Sequence, residues 1–493
     1  MTAAPGEVRF ASAEGRWILV ATILGSGIAS LDATVVNVAL PTIGRHFGAG
    51  VGGLQWVVTG YLITLSALIL LGGSLGDLFG RRRVFVIGVI AFSVASLVSG
   101  LAISLPMLVA ARALQGVGGA LLVPGSLAII ESSFAPGDRS RAIGAWSGLG
   151  GIATAAGPFV GGYLVSAVSW RLIFLLNLPL AVGVLLAARH VPESTDPSTN
   201  RHLDLLGAGL VVVGLASLTF ALISAPTPGR IGVVMASGAV GVLGLVTFVL
   251  VERRSPHPML PLGIFSSRQF TAANLVTFVV YAALGGILFL LAVDLQQALL
   301  FSPVAAGAAL FPVTVIMLLF SARAGALAQR IGPRLPITVG PLVVTAGLLL
   351  MRRISPGGHY LDVVLPAVVV FGAGLALTVA PLTATVLAAA DVRHAGVASG
   401  VNNAVARAAG LLAVALLPAL AGLTGASYRH PLAFSTGFHT ALLIAAGGTF
   451  LGGVIAFVGI RNPAQVGADA GPAAVPQTTC AIDGPPLRRQ PAT

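Results

Sequence analysis

Lysine is missing from this chain, and charge of either sign is scarce. All 27 basic residues are arginine, and charged residues make up 9% of the 493 positions, against about a quarter in an average soluble protein. Without lysine, the chain cannot form the glycine-rich nucleotide-binding loop that ends in Gly-Lys. The composition therefore excludes an ATP-driven pump built on that loop, and it excludes an ordinary soluble globular protein.

Cysteine and grouped metal ligands are also scarce. The only cysteine, Cys480, lies in a polar tail, so the chain cannot form an internal disulfide. The eight histidines are scattered singly without metal-ligand spacing, and we predict neither a metal site nor a cofactor. The net charge of +12 comes from arginines in short loops between apolar runs, so we expect no nucleic-acid partner.

Apolar sequence is what the chain has in abundance, at 56% hydrophobic residues. About fourteen runs are long enough to cross the hydrocarbon core of a bilayer as helices. We therefore predict an all-α membrane protein with about fourteen transmembrane helices, embedded in the lipid bilayer. The predicted spans are 17–40, 54–74, 84–104, 106–130, 140–165, 171–189, 204–224, 231–251, 270–293, 303–328, 335–351, 361–390, 396–422 and 436–460.

The arginines set the predicted orientation. If both termini are cytoplasmic, most arginines lie in cytoplasmic loops, few lie outside, and Arg112 and Arg407 lie within spans. This distribution follows the positive-inside rule, and an odd number of spans would break it. The N-terminal residues are too charged, and the apolar run after them too long, for a cleavable signal peptide. We predict a multi-pass protein of the plasma membrane with both termini in the cytoplasm.

A charged stretch after the second span is repeated later in the chain. The first copy is Gly73-Ser-Leu-Gly-Asp77-Leu-Phe-Gly80-Arg81-Arg82-Arg83, and the second is Gly325-Ala-Leu-Ala-Gln329-Arg330-Ile-Gly332-Pro-Arg334. Two parallel halves of six spans each, with a solute site between them, would explain the repeat. The predicted parts are a six-helix bundle at 1–190, a linker with an inserted two-helix hairpin at 191–268, a second six-helix bundle at 269–460, and a disordered cytoplasmic tail at 461–493.

The first charged stretch lies between the apolar runs 54–71 and 84–103, and we predict a tight turn there. Glycine allows such a turn, and arginines favour the cytoplasmic side. Asp77 beside three arginines has two interpretations. Either the stretch is a plain basic loop in which Asp77 only reduces the charge, or Asp77 has a specific partner.

Asp32 and Arg112 are the ionisable residues that the spans carry at a shared depth. Such residues are costly in a membrane and are candidates for function. Burial favours the neutral form of a carboxylate, whereas a nearby guanidinium favours the ionised form, so a movable arginine would make a switchable proton site. The alternative is a static ion pair that only holds two helices together.

Small residues and a proline mark the fifth predicted span. Pro158 removes one helical hydrogen bond and bends the helix, while small residues allow a neighbouring helix to approach closely. From physical chemistry alone, ordinary small-residue packing explains this pattern. The residues of interest are Gly148, Gly157, Pro158, Gly161 and Gly162.

Six polar residues are candidates for lining a solute cavity. Asp294 is either an interfacial residue near the outer surface or a second acidic residue that faces the cavity. Arg407 has no evident carboxylate at its level, and it either binds an anionic or carbonyl-bearing solute or extends to the cytoplasmic surface. The candidates are Asn37, Gln115, Asp294, Asn402, Asn403 and Arg407.

Taken together, these motifs resemble the fourteen-helix drug:proton antiporter branch of the major facilitator superfamily. The resemblance covers nearly the whole chain and rests on Gly-x-Leu-Gly-Asp77-x-x-Gly-Arg-Arg, Leu31-Asp-x-Thr, Gln55-Trp56, Leu108-x-x-x-Arg112-x-x-Gln115-Gly, the glycines of the fifth span, and Trp170-Arg171-x-Ile-Phe-x-x-Asn177-x-Pro179. Gln329 departs from the pattern, because it stands where the second copy would have an acidic residue, so any clamp on that side is weakened or absent.

The resemblance implies a transporter that exports amphipathic, drug-like or antibiotic molecules in exchange for protons. It implies proton coupling at Arg112, an antiporter motif in the fifth span, and a conformational clamp formed by Gly73, Asp77, Gly80, Arg81 and Arg82. Physical reasoning adds Asp32 as the coupling carboxylate. Two alternatives remain, a proton-coupled uptake symporter of the same fold and a polytopic membrane enzyme. The enzyme would need clustered His, Asp or Glu residues at the membrane surface.

Overall fold

The computed structural model describes residues 8–195, 203–389, 395–423 and 430–462, and helices dominate this part of the chain. The first seven helices are α1 (Ala13–Phe47), α2 (Val51–Phe79), α3 (Arg81–Gly100), α4 (Leu105–Ser133), α5 (Pro136–Ala167), α6 (Leu172–Leu175) and α7 (Asn177–Ala188). The others are α8 (Leu205–Ser224), α9 (Ile231–Arg254), α10 (Arg268–Gln297), α11 (Pro303–Ala309), α12 (Phe311–Ile331), α13 (Arg334–Met351), α14 (Leu365–Ala388), α15 (Ala395–Leu420) and α16 (Pro431–Gly459).

The predicted all-α membrane class is confirmed. In the described part of the chain, 12 helices are long and apolar enough to cross a membrane. The helix α5 and the shorter apolar segment Leu172–Ala188 occupy the two remaining predicted positions. The exact count of fourteen stays a prediction, as do the boundaries of the bundles. The predicted tail lies outside the described residues from position 463 onward.

The bundle has two ends, which we name after the glycines at two tight connections. At the Gly48 end, α1 stops at Gly48, which has a left-handed φ of 63° that glycine adopts without strain. At the Gly80 end, α2 stops at Gly80 with a φ of 111°, and α3 begins at the next residue.

The predicted turn at the Gly80 end is wrong in its extent. We expected the reversal to occupy much of the stretch from Gly73 to Arg83, but α2 continues through Asp77 to Phe79 and only Gly80 is non-helical. The apolar run ends at the bilayer boundary, whereas nothing in the following residues stops a helix before Gly80. A side chain at position 80 would also meet the carboxylate of Glu193, but the positive φ is what requires glycine here.

Helix packing divides most of the chain into an N-terminal half, α1 to α7, and a C-terminal half, α10 to α16. Within the first half, α4 packs on α2 and α3, and α1 packs on α5 and α7. Within the second half, α13 packs on α14 and α16, while α10 packs on α15 and α16. The two halves meet mainly where α2 packs on α15 and where α5 packs on α11.

The helices α8 and α9 lie between the two halves in chain order. They pack tightly on each other, and a methyl group at Gly241 would overlap Leu218. Of the two, α8 contacts both α2 and α15, and its Phe220 ring lies 6.2 Å from the ring of Trp56. Large apolar side chains on α9, such as Leu243 at 64% exposure, suit contact with lipid rather than water.

Candidate functional site

A cavity of about 750 Å³ lies between the two halves. Residues of α1 to α5 line it on one side, and residues of α10, α14 and α15 line it on the other. The wall is mixed in character, because the aromatic side chains of Tyr61, Trp146 and Tyr281 alternate with aliphatic and amide side chains. A cavity of this size and character suits a small amphipathic molecule.

At the Gly48 end, the two halves contact each other directly and close the cavity. The side-chain amide of Gln55 on α2 donates to the backbone oxygens of Val414 at 2.7 Å and Ala415 at 3.0 Å on α15. From the other half, the amide of Gln296 on α10 donates to the oxygen of Val38 on α1 at 2.9 Å. These two glutamines are therefore reciprocal links between the halves.

The cavity reaches the Gly80 end, where its lining includes Asp77, Arg81 and Glu131. Glu131 is exposed and the other two are partly exposed. The structure is thus open at the Gly80 end and closed at the Gly48 end, which is one of the two states that alternating access requires.

Asp32 forms a buried ion pair with Arg112 behind one wall of the cavity. The distance from Arg112 Nη1 to Asp32 Oδ2 is 2.5 Å, and the two side chains are 1% and 0% exposed. The other carboxylate oxygen accepts from Gln115 Nε2 at 2.9 Å and from Asn177 Nδ2 at 3.1 Å. Both oxygens of the Asp32 carboxylate therefore have partners.

Arg112 connects this ion pair to the cavity. Its guanidinium donates to Gln115 Oε1 at 2.7 Å and to the backbone oxygen of Val57 at 3.2 Å. Its central carbon also lies 4.4 Å from the centre of the Tyr61 ring. Arg112 and Tyr61 both line the cavity, whereas Asp32 does not. A change at Asp32 can therefore reach a bound molecule through Arg112.

Ser96 and Asn177 complete the buried network, and the sequence did not single them out as site residues. Ser96 Oγ accepts from Gln115 Nε2 at 2.7 Å and from Asn177 Nδ2 at 2.9 Å. Both residues are fully buried. The available signals were a polar residue inside an apolar run and, for Asn177, its place in a motif that carries the family resemblance. Only the packing of α3 and α7 against α1 and α4 brings both residues to Asp32.

The predicted clamp residues lie together at the Gly80 end. Asp77 and Arg81 form an ion pair with a nitrogen–oxygen distance of 2.8 Å, one helical turn apart across Gly80. Arg82 donates from Nη1 to the oxygen of Val191 at 3.2 Å, and Gly73 lines the cavity. In this state Asp77 bonds within its own half.

Glu193 is a further residue of this region that the sequence assigned to a loop without a role. Its carboxylate accepts from the backbone nitrogens of Arg82 at 3.0 Å and Arg83 at 3.2 Å. An acidic group at these positions satisfies the free N–H groups in the first turn of α3 and interacts favourably with the helix dipole. Glu193 therefore ties the segment after α7 to the start of α3.

The glycines of α5 lie where close approach requires them. A methyl group at Gly157 would overlap the Thr34 side chain on α1, and one at Gly161 would lie 2.7 Å from Val35 Cγ1. At Gly162 it would lie 2.5 Å from the oxygen of Pro303 in the other half. Pro158 contacts the second half too, because its backbone oxygen would meet a methyl group at Gly307. Gly148 lies outside the described side chains.

The structure divides the six predicted cavity residues into two groups. Asn37, Asn402, Asn403 and Arg407 line the cavity. Gln115 lies instead in the Asp32 network. Asp294 is neither interfacial nor in the cavity wall, because it is 0% exposed and does not line the cavity. It lies near the end of α10 at the Gly48 end, where the helix turns its side chain into the protein interior.

Comparisons with known proteins agree with this architecture. The family model described as Major Facilitator Superfamily matches residues 22–414. The puromycin resistance protein pur8 of Streptomyces alboniger is 35% identical over 474 residues, which cover 93% of this chain and 94% of that protein. The multidrug resistance protein Stp of Mycobacterium tuberculosis is 36% identical over 390 residues, which cover 78% of this chain and 72% of that protein.

A solved structure supports the fold. It is that of a bacterial homolog of the human lysosomal transporter Spinster in an inward-facing and unoccupied conformation, with a TM-score of 0.66 and 16% identity. The match covers 92% of this chain and 100% of that one. At this level of identity the similarity concerns the fold alone. From the family match and the two close relatives, the chain belongs to the Major Facilitator Superfamily.

Proposed function

We propose that this protein exports amphipathic, drug-like molecules across the plasma membrane in exchange for protons. The names of its relatives, which include puromycin and multidrug resistance proteins, support export of such compounds. The observation that carries the proposal is the dual position of Arg112. The same residue pairs with a buried carboxylate and belongs to the lining of the cavity between the halves.

In the proposed orientation, the arginine-rich Gly80 end faces the cytoplasm, and both termini lie on that side. The open state described above is then the inward-facing one, in which the cavity takes up its solute from the cell. The moving parts would be the bundles 1–190 and 269–460, with the hairpin of 191–268 between them. The clamp around Asp77 would act when this end closes.

The proposed coupling runs through Arg112. While Asp32 is ionised, it holds the guanidinium by an ion pair and leaves the cavity wall in its present arrangement. A proton on Asp32 would cancel the charge that attracts Arg112 and would leave the guanidinium free to rearrange in the wall. A solute against that wall and a proton on Asp32 would thus influence each other, as exchange requires. The energy source is the proton gradient, and no cofactor takes part.

The uptake symporter remains the nearest alternative, because the same fold can move solute and proton in one direction. The resistance names of the relatives favour export over uptake. A membrane enzyme would need grouped side chains with catalytic potential, and the cavity wall supplies mainly aliphatic side chains, amides and aromatic rings instead.

Drug susceptibility tests the proposal. An efflux-deficient host that expresses the protein should tolerate higher concentrations of a subset of a compound panel, and an uncoupler should abolish the difference. Arg112→Ala should remove the resistance, while Arg323→Gln, on the exposed surface of α12, should keep it. Resistance that persists with the uncoupler would contradict proton-driven export, and increased sensitivity would favour the uptake alternative.

A further inference from the structure

Two charged residues in the cavity wall form no ion pair across the described ranges of the chain, Glu131 at the Gly80 end and Arg407. The ionisable acids and bases in the lining are Asp77, Arg81, Arg112, Glu131 and Arg407. Arg81 pairs with Asp77, and Arg112 pairs with Asp32 behind the wall. The guanidinium of Arg407 is therefore an uncompensated positive charge in the wall.

Arg407 lies deep in the cavity. It is twelve residues from the start of α15 at Ala395, or about 18 Å along the helix axis, which is too far for its side chain to reach the Gly80 end. It lines the same cavity as Tyr61 of α2 and Tyr281 of α10. The alternative in which Arg407 extends to the membrane surface therefore disagrees with its position.

The acidic groups of the lining lie far from this depth. Asp77 is sixteen residues beyond Tyr61 along α2, or about 24 Å, and Glu131 lies in the last turn of α4 at the same Gly80 end. Asp32, at mid-depth, is excluded from the wall and satisfied by Arg112. A cationic solute in the deep cavity would thus meet a positive wall without a free carboxylate.

Two buried polar atoms without hydrogen-bond partners belong to residues that line the same cavity as Arg407. The Tyr61 hydroxyl is buried and has no hydrogen-bond partner in the described structure, and the same holds for Asn37 Oδ1. Both residues line the cavity, and Tyr61 is 1% exposed. A buried polar atom without a partner is costly, but the Tyr61 hydroxyl has almost no accessible surface and Asn37 Oδ1 can only accept, so an anion site here rests on Arg407 itself.

From these observations we infer that the exported molecules carry an anionic group that pairs with Arg407. A carboxylate, sulfonate or ionised phenol would accept charge-assisted hydrogen bonds from the guanidinium. The aromatic side chains of Trp146 and Tyr281 would contact the apolar body of the same molecule. The inference rests on the proposed function, since it assigns a substrate class to the same cavity.

Two fluorescent probes that differ only in a sulfonate test this inference. The anionic probe is 1-anilinonaphthalene-8-sulfonate, and the neutral one is N-phenyl-1-naphthylamine. Everted membrane vesicles that contain the full-length protein are energised, and the uncoupler-sensitive accumulation of each probe is measured. The variants are Arg407→Gln, Arg407→Lys and, as a control away from the cavity, Arg323→Gln.

We expect the wild type to transport the sulfonate in preference to the neutral amine. Arg407→Gln should lower transport of the sulfonate about tenfold or more, because it removes a charge-assisted hydrogen bond. It should retain transport of the amine. Retained transport of the amine would show that the Arg407→Gln protein is folded. Arg407→Lys should keep part of the preference because it keeps the charge, and Arg323→Gln should match the wild type.

The experiment distinguishes a failure of the anionic substrate class from a failure of proton-driven export. A wild type that transports the amine but not the sulfonate, or a preference that survives Arg407→Gln, would overturn the anionic substrate class and leave proton-driven export standing. Transport of neither probe in an uncoupler-sensitive manner would contradict both the inference and the proposed function.

Discussion

Arg112 is held by partners of four kinds: the Asp32 carboxylate, the Gln115 amide, the backbone oxygen of Val57 and the Tyr61 ring. Only a planar guanidinium with several donors can satisfy the first three from one position. The residue thereby orders the polar interior of the N-terminal half and contributes to the cavity wall at the same time.

Arg112→Ala should lower the free energy of unfolding by about 3–5 kcal/mol, because it leaves Asp32 buried without its partner. In an Asp32→Asn background the same change should cost much less. Thermal unfolding of the single and double variants in detergent, with Arg323→Ala as the control, measures the difference. Equal losses in both backgrounds would mean that the ion pair does not stabilise the fold.

At this scale, the sequence predicts the ion pair but not its surroundings. Asp32 and Arg112 could be paired by depth alone, since opposite charges in apolar spans have few other partners. Asn177 and Ser96 could not be placed beside Asp32, because their approach depends on the rotation of α3 and α7 about their axes. The burial of Asp294 was missed for the same reason, since depth along a helix does not give the direction of a side chain.

Among the helices, α5 forms the closest contact between the halves that involves glycine. Gly157 and Gly161 let α1 approach, and Gly162 lets the start of α11 approach. In contrast, a methyl group at Gly150 of the same helix would have open space. Gly150 is therefore a control position on the same helix.

Gly162→Ala should weaken closure at the Gly48 end and lower stability by about 1–3 kcal/mol, the usual cost of overpacking. Gly157→Ala should have a similar effect through Thr34, whereas Gly150→Ala should be tolerated. Uncoupler-sensitive export and thermal unfolding measure these effects. If all three variants behave alike, the glycines of α5 do not act through close contact.

The ion pair between Asp77 and Arg81 joins α2 to α3 in the present state. It is partly exposed, so Asp77→Asn should change the stability of this state by less than about 1 kcal/mol. Export should nevertheless be strongly reduced if Asp77 acts when the Gly80 end closes. The matched control is Asp362→Asn at the exposed Gly48 end. Unchanged export by a normally inserted Asp77→Asn variant would leave only the basic-loop interpretation.

Helix positions were predictable, and their ends less so. Apolar runs mark the part of each helix inside the bilayer, which is why every predicted span corresponds to a helix or to a pair of short helices. The runs do not report how far a helix extends into water, so the length of α2 was underestimated. The break between α6 and α7 precedes Asn177 and Pro179, and the break between α11 and α12 precedes Pro312 in the first turn of α12.

For the whole molecule, we expect contacts at the Gly48 end to set the balance between two states. One is open at the Gly80 end, and the other is open at the Gly48 end. The amides of Gln55 and Gln296 each donate across the interface between the halves. Because a hydrogen bond contributes about 0.5–1.5 kcal/mol net, loss of both should move the equilibrium roughly tenfold or more toward the state open at this end.

The double variant Gln55→Ala/Gln296→Ala tests this shift. Spin labels at Ile103→Cys and Leu361→Cys, which replace residues 83% and 68% exposed, would report the distance between the halves in a Cys480→Ser background. We expect a larger population with a long distance. Gln269→Ala removes an amide that donates within the C-terminal half and should have no effect. An unchanged distance distribution in the double variant would show that other contacts hold this end closed.

Exchange of solute for protons through Asp32 and Arg112 is the central claim. The most direct measurement follows the internal pH of proteoliposomes while a transported compound from the susceptibility panel flows down its own gradient. The wild type should move protons opposite to the compound. Asp32→Asn should still pass the compound downhill but move no protons, and Asp294→Asn should behave as the wild type because a neutral side chain suits that buried, unpartnered site. Proton movement that persists in Asp32→Asn and disappears in Asp294→Asn would contradict the account.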